Sequence, residues 1–569
     1  MRGIDPITFQ VISTGLTGIV REMQLLLFRT GYSTAIRESQ DASCAILDRQ
    51  GNLVAQFRSL YMHMGIFRVM MDAVFERYPV SEMEQGDVFI LNHPYHGGST
   101  HVSDMGVIVP VFYHGEHVAF CASMAHKTDV GGVVPGSASG QATEIYQEGL
   151  LLPPLKYVSH GCISQEIETI LKANSRTPEV LIGDIRGQIG VCRIGEDRIG
   201  KLMDKYGQET ILWSFQETMD RTERSVKHGI GQWPDGSASM EAFLDPDGIL
   251  LYEPVKLHLT VTKKGESLIF DFTGCDDQTR SPVNVKQAAT ISAAYFAVIA
   301  MIDPTIPNNE GLAHVVQGKF RPGSVVSPLP PTAVSCYTVP LTTVLEMAIS
   351  IMGKIAGQKA IACSGRGANV TMGGKSLMTG KPYIQYELGG ASCGAVDGDD
   401  GCAGHHIRGT PGHVKSVPLE IVESEFACRM LRYGLTLDSG GPGKFCGGPG
   451  WVKEYLILDE QARLGLRANM FVFPAWGVNG GLPGKPGSAV LNPGTLQEKI
   501  LPPRLADFRL KKGDILWVEC GGGGGVGKPA ERPKEKVIED VENGYITPHR
   551  AREVFGTEVR EECSLSSLP

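Results

Sequence analysis

Asn92-His-Pro-Tyr-His-Gly-Gly-Ser-Thr-His-Val-Ser-Asp104 is followed, after two apolar runs, by Met124-Ala-His-Lys-Thr-Asp-Val-Gly-Gly132. The apolar runs at 105–112 and 118–122 read as strands. The polar residues therefore fall on loops and strand ends, with His101 three residues before Asp104 and His126 at the end of the next run. Two imidazoles and a carboxylate are a donor set that leaves a divalent first-row metal with open positions. Glycines before His101 and after Asp129 let a backbone approach a bound group closely. The competing reading is three unrelated polar loop residues, and the spacing alone leaves both open.

Working outward, 569 residues exceed what one hydrophobic core usually serves, so two or three structural units are expected. A hydrophobic fraction of 42% and a charged fraction of 20% are those of a globular protein. The net charge of -9 argues against a nucleic-acid partner, which calls for a basic face. No apolar run is expected to reach the roughly 20 residues of a membrane span, and the start Met1-Arg-Gly-Ile-Asp-Pro lacks the basic-then-apolar order of a signal peptide. The 13 cysteines are scattered without a CxxC pair and read as small buried hydrophobes in a reducing compartment, which places the chain in the cytoplasm.

The 70 glycines concentrate at 97–140, 389–412, 438–450, 478–487 and 521–527. Turns of this kind between short strands predict a loop-heavy architecture whose loops converge on sites. The fold class expected is α+β, multi-subdomain, with mixed sheets, glycine-rich loops and an N-terminal helical and metal-site region. Three parts are expected. Residues 1–235 open with an apolar stripe (Phe9, Ile12, Leu16, Ile19, Met23, Leu26, Leu27) that marks a helix stopping at Thr30-Gly31. A strand, tight turn and strand follow over 42–55, then strands at 88–91 and the two runs above, and helices at 163–173 and 181–206. Residues 236–375 carry short strands at 257–261 and 268–272 and helices at 285–302 and 341–356. Residues 376–569 return to strands and glycine loops, with a strand at 514–519 and a helix at 548–554 opened by Thr547-Pro548.

Other residues admit two readings. Asp41, at a strand entrance, is a turn aspartate or a general base for a metal-adjacent water. His63 is a core histidine or a pocket wall, and Glu144 and Glu148 are loop residues or groups orienting ligand imidazoles. Gly522-Gly-Gly-Gly-Val-Gly-Lys528 matches a phosphate loop as far as the lysine, but Pro529 stands where Ser or Thr and a continuing helix are required. A flexible loop is the preferred reading there. Asp438–Gly450 is either an anion receptor built from backbone amides or a chain of tight turns. No Gly-x-Ser-x-Gly elbow stands out.

Asp5-Pro-Ile-Thr-Phe, Ser39-Gln-Asp-Ala-Ser-Cys-Ala45, Gly86-Asp-Val-Phe-Ile-Leu-Asn92, Gly98-Ser-Thr-His-Val-Ser-Asp104, Ala125-His-Lys-Thr-Asp-Val-Gly-Gly132, Ala142-Thr-Glu-Ile-Tyr-Gln-Glu-Gly149, the stretch 432–448 and the late glycine run lie nearly end to end. Through them the chain resembles the hydantoinase B/5-oxoprolinase type, the B half of ATP-dependent cyclic amide hydrolases. The resemblance implies a hydantoinase A-type partner of actin-like ATPase fold, assembled as a heterotetramer of two A and two B subunits. ATP and magnesium then belong to the partner, which phosphorylates the amide oxygen of a small cyclic amide. It also implies that His101, Asp104 and His126 hold a divalent metal, zinc first and manganese or iron as alternatives, and that Asp41 is the base. Where many relatives read Asn-Asp-Pro-Tyr-Arg-Gly-Gly, this chain has His93 and His96 in place of the aspartate and arginine, which implies a less anionic substrate. A ketone carboxylase metal subunit is the alternative of the same ancestry, disfavoured because such subunits are longer. A noncatalytic scaffold for the ATPase is the alternative of another class.

Overall fold

The computed structural model describes residues 4–57, 60–357, 360–404, 408 and 414–559. The glycine-rich stretch at 389–412 is therefore described only in part. Two compact units emerge, one of Met1–Ser237 with Thr260–Leu341, the other of Ala238–Leu259 with Thr342–Pro569. The fold is mixed α+β, as the sequence predicts.

The first unit begins with α1 (Pro6–Thr30), whose N-cap Asp5 side chain accepts the amides of Ile7 and Thr8, with Pro6 at the first helical position. Then come β1 (Ala42–Asp48), β2 (Leu53–Gln56), a single 3-10 turn Tyr61–His63 and α2 (Ile66–Arg77). Strands β3 (Val88–Leu91), β4 (Asp104–Tyr113), β5 (Glu116–His126), β6 (Leu155–Ser159) and β7 (Cys162–Ile163) complete a sheet in the order β2-β1-β5-β4-β3-β6-β7. Every pair in it is antiparallel. Helix α3 (Pro178–Tyr206) packs with α1 on one face, where Leu16, Met23, Cys44, Val107, Cys121, Ile185 and Ile199 share a core. Gly195 permits that crossing, since a Cβ there would meet Cys121 Sγ at 2.6 Å and Met23 Sδ at 2.7 Å. The opposite face receives α2, whose Met70 occupies the space above Gly106. Helix α4 (Gln208–Gly231), strands β8 (Val255–Lys264, of which Thr260–Lys264 lies in this unit) and β9 (Ser267–Asp271), helix α5 (Gln287–Ile302) and strand β10 (Val316–Lys319) follow. The β9–β10 pair is parallel.

The second unit contains most of α6 (Thr338–Ile355) and two antiparallel sheets. Strands β11 (Asn369–Lys375), β12 (Pro382–Glu387), β13 (Cys428–Leu435), β14 (Trp451–Ile457), β15 (Arg463–Arg467), β16 (Ser488–Leu491), β17 (Lys499–Ile500), β18 (Arg504–Arg509) and β19 (Ile515–Glu519) form the sheets β12-β11-β15-β18 and β13-β14-β19-β16-β17. Both contribute to one core, with Val370, Leu464 and Leu466 from the first and Tyr455, Leu516 and Val518 from the second. Helices α7 (Lys534–Glu542) and α8 (Pro548–Phe555) close the unit, α8 capped by Thr547 Oγ1 accepting from Arg550 N at 3.1 Å.

The late glycine run overturns the expectation of a flexible loop there. Residues 521–526 are buried and run through the middle of a bundle of extended segments. Each amide is spent on a different neighbour: Gly522 donates to Lys485 O, Gly523 to Gly448 O, Gly524 to Cys363 O, Gly525 to Leu482 O, and Val526 to Phe445 O, at 2.8–3.0 Å. Backbones sit so close that a Cβ at Gly447, Gly522 or Gly524 would overlap a neighbouring carbonyl. Glycine is required here for side-by-side packing of main chains, as at the crowded axis of a triple helix. No amide of 522–527 remains to cradle a phosphate, since Gly527 donates to Val478 O. In 438–450 the amides of Gly441, Phe445, Gly447 and Gly448 are bonded to backbone carbonyls, so those four are spent on the protein itself.

Two helices, α1 and α6, are long and apolar enough by length and composition to cross a bilayer, which corrects the expectation that no such run exists. In α6, 83% of the most apolar window is buried within the protein. The 12 described cysteines are free thiols.

Candidate metal centre

The centre forms where strand register lines up three acidic and basic side chains. Asp104 begins β4 and His126 ends β5, and the two are directly paired. β1 pairs with β5 so that Ala42 faces Ala125, and one step further the His126 amide donates to Asp41 O at 3.1 Å. Residues directly opposite in antiparallel strands share a face, so Asp104, His126 and Asp41 lie in a row across three neighbouring segments. The Asp41 amide donates to Ala35 O at 2.9 Å, and the buried Gln24 of α1 donates to Ala42 O at 2.8 Å, which fixes the entrance to β1.

His101 joins from the preceding loop. The Asp104 amide donates to His101 O at 3.1 Å, a turn that folds the imidazole back over the carboxylate. Asp104 Oδ1 lies 3.3 Å from His101 Nε2 and 3.4 Å from His126 Nδ1, and Oδ2 accepts from Thr100 Oγ1. The His101 and His126 rings stack at 5.1 Å, and the Tyr337 ring lies 5.0 Å from His101. All three ligand candidates are buried.

A further residue belongs here that sequence reasoning left undecided. His63, fully buried, presents Nε2 to Asp104 Oδ2 at 3.6 Å, while its Nδ1 is 2.9 Å from Ser43 Oγ. Among the described residues that Nε2 has no closer hydrogen-bond partner. Its signal in the sequence is a polar ring inside the apolar run Tyr61-Met-His-Met, since a buried imidazole needs a partner.

Burial alone would raise the Asp104 carboxyl. The positive character of His101, with polar contacts from His101, His126 and His63, instead holds it well below the usual carboxylate range. An ionised carboxylate ringed by imidazoles is the chemistry of a divalent-metal site. The donor atoms of His101, Asp104 and His126 all lie within 4.8 Å of one another, the only such group among the described residues. The residues fit a metal ion.

The surroundings brace this arrangement. The Lys127 amide donates to Ser103 O at 2.7 Å, tying the start of β4 to the end of β5. Its buried Nζ donates to Gln188 of α3, whose Nε2 donates to Met105 O and Ser123 O. Burial lowers that ammonium to about 8. Asp129 pins the next loop through Arg176 and the Gly136 amide. Gly98 packs on Val69, while Gly131 and Gly132 pack on the backbones of Asn174 and of Gln147–Glu148. These glycines serve close packing within the protein rather than approach to a ligand.

Glu144 is exposed and caps a 3-10 turn. Glu148 Oε1 accepts the amides of Val334 and Ser335, at 2.7 and 2.6 Å, just before Tyr337. His93 Nδ1 accepts the amides of Tyr95 and His96, and His96 is exposed, so neither histidine joins the metal group.

Comparison with known proteins adds the ancestry. Residues 5–529 match the family model described as Hydantoinase B/oxoprolinase. The B component of a putative D-/L-hydantoinase from Pseudomonas sp. (strain NS671) is 29% identical over 578 residues, covering 99% of this chain and 96% of the relative. The crystal structure of an ATP-dependent caprolactamase from Pseudomonas jessenii superposes with a TM-score of 0.91 at 26% identity, covering 99% of this chain and 98% of that one. Acetone carboxylase, in a nucleotide-free structure, has a TM-score of 0.88 at 17% identity over 98% of this chain and 80% of that chain, which is a likeness of fold. The chain belongs to the hydantoinase B/oxoprolinase family.

Proposed function

We propose that this member of the hydantoinase B/oxoprolinase family is the metal-holding subunit of a cytoplasmic, ATP-dependent cyclic amide hydrolase. Its partner in this reading is an A-type ATPase of actin-like fold, in a heterotetramer of two A and two B chains. The observation that carries it is the convergence of His101, Asp104 and His126 with Asp41 opposite His126, in a chain similar throughout to a caprolactamase. His101, Asp104 and His126 would hold a divalent ion, zinc first, with manganese or iron also suited to two imidazoles and a carboxylate.

An unstrained amide resists water because its carbonyl is resonance-stabilised and its amine leaves poorly. Phosphorylation of the amide oxygen in the partner, with ATP and magnesium bound there, makes the ring carbon an imidate-like electrophile. A divalent ion, when bound, polarises such a group or lowers the pKa of water toward ~7. Asp41 accepts the proton of the attacking water. The new C–O bond makes the ring carbon tetrahedral; the C–N bond then breaks, the ring nitrogen taking the proton held by Asp41, and the acyl phosphate left behind is hydrolysed by a second water to the acid and phosphate. Thr100, His63 and the imidazoles keep Asp104 ionised and oriented, so that the donor set needs little rearrangement.

The test is co-expression with an A-type ATPase, quantification of bound metal, and assay of ATP-dependent ring opening across a lactam and hydantoin panel, with and without bicarbonate. Turnover that needs ATP and no bicarbonate is the expected result. Product formed only with bicarbonate and a ketone moves the protein to the carboxylases, and a metal-free, inactive complex leaves a scaffold. Within that assay His126→Ala abolishes both metal binding and turnover. Asp41→Asn keeps the metal and loses hydrolysis; full activity in that variant removes Asp41 from the role of base.

A further inference from the structure

Among the described residues, Lys286 is a half-buried cation without a counter-charge. It is the N-cap residue of α5, and its Nζ lies 4.2 Å from the centroid of the Tyr95 ring and 3.4 Å from Pro328 O. Among the described residues it makes no ion pair, and burial alone lowers its ammonium to about 8, with no acidic group acting on it. A ring face and a long carbonyl contact are weak replacements for the water it has lost. Close by, His93 and His96 meet edge to face, their ring centroids 4.5 Å apart. His93 is pushed down to about 4, first by burial and then by the positive character of His96 and Lys286. Lys286 and His93 thus lie on either side of Tyr95, whose ring centroid is 6.3 Å from that of His93, and among the described residues neither the two histidines nor the lysine has a carboxylate ion-pair partner.

Segments in contact with this cluster lead to the metal centre. The His93–His96 loop runs directly into His101. Tyr95 OH donates to Thr332 O at 2.7 Å, at one end of a short segment whose other end places Tyr337 over His101. The first turns of α5 pack on Gly65, two residues after His63: the Gly65 amide donates to Ser292 Oγ at 2.9 Å, and a Cβ on Gly65 would meet Ala288 O at 2.8 Å.

We propose that Lys286, His93 and His96 form an oxyanion-binding subsite on the rim of the metal centre. It would take either the carboxylate of a ring-amide substrate or the phosphoryl group of its activated form, and so rests on the hydrolase reading above. A bound oxyanion supplies the charge that the lysine lacks and accepts hydrogen bonds from the ammonium and from the imidazole edges.

The experiment titrates the full, metal-loaded chain calorimetrically with inorganic phosphate, with 5-oxoproline, and with 2-pyrrolidone, the same ring without the carboxylate. At least one oxyanion binds, and Lys286→Met weakens it tenfold or more at unchanged metal content, while Lys286→Arg restores most of the affinity. Lys286→Gln serves as a second neutral variant should the methionine variant fail to fold. Phosphate binding alone assigns the site to the phosphoryl group; 5-oxoproline binding without 2-pyrrolidone binding assigns it to a substrate carboxylate. Equal binding of the two rings without phosphate binding, no oxyanion binding, or affinities that ignore Lys286 overturn the proposal. Because these titrations need neither ATP nor the partner, Lys286-dependent binding in a protein that opens no ring would sink the hydrolase reading and leave the subsite standing.

Discussion

Replacing His63 by leucine tests how far the site extends beyond its three ligand candidates. Leucine fills comparable space but withdraws Nε2 from Asp104 Oδ2, 3.6 Å away, and abandons the Ser43 contact at Nδ1. At 3.6 Å this contact is longer than a hydrogen bond, so about 1.5–3 kcal/mol, the worth of a hydrogen bond to a charged group, is an upper bound on what is lost. At about 1.4 kcal/mol per decade, that limits the weakening of metal affinity to about 10- to 150-fold. The range agrees with the ~10- to 100-fold effect usual for groups that orient metal ligands. The assay is competition of the purified chain against a chelator of known zinc affinity, with thermal unfolding followed alongside. Affinity within twofold of the parent would refute a role for His63 in orienting Asp104. A loss as complete as that of His126→Ala would refute it in the other direction, by making His63 a direct donor.

Two further predictions concern the second unit. Gly447→Ala drives a Cβ into the Gly523 carbonyl, and because both main chains are locked by hydrogen bonds the variant should lose about 1–3 kcal/mol or more of stability in denaturant titration. Gly434→Ala, with nothing within 4 Å of the added carbon, is the control that should change little; equal losses would contradict the close-packed bundle. Asp540, buried beside Arg532, is raised to about 6 because burial outweighs the guanidinium. Its folded value exceeds the ordinary 3.8, so the native chain holds a proton that the unfolded chain has released. Stability from this group is present at low pH and lost as pH rises across roughly 4 to 6, with a slope of at most ~1.4 kcal/mol per pH unit. Asp540→Asn should flatten that slope whatever its absolute effect, and a slope identical to the parent's would refute the assignment.

Much of this was legible in the sequence because alternation and apolar runs report strands directly. The runs at 105–112 and 118–122 lie inside β4 and β5, and the stripe from Phe9 to Leu27 is the buried face of α1 except at Leu26, which is only partly buried. The ligand candidates were legible too, as polar residues at the ends of two adjacent apolar runs, though the exact register was not. The hairpin turns at His114-Gly115, both at positive φ (48° and 82°), a signature of the primed turns that match strand twist. Counting back equally along both arms puts Asp104 opposite Ala125, and it is the one-residue irregularity between Val111 and Phe112 that brings it opposite His126, a shift the sequence does not announce. His63 was harder, since it lies 38 residues from His101 in the chain and reaches the site only because a 3-10 turn packs on α5. The glycine bundle could not be read locally at all. A residue without a side chain gives the same composition whether it makes a turn or lets two main chains touch, and only the tertiary neighbours decide.

Register is what makes the metal centre precise. A one-residue slip of β5 against β4 would turn His126 to the opposite face of the sheet, away from Asp104. The irregularity in that pair falls between Val111 and Phe112, next to the turn, so the site end keeps an unbroken ladder. The glycine bundle uses backbone precision for a different end. Its amides are consumed in holding main chains together, and so the one phosphate-loop look-alike in the sequence has no donors left for a nucleotide. A reaction driven by ATP must therefore find its phosphate-binding loop outside 522–528. The partner ATPase of the proposed function would supply such a loop.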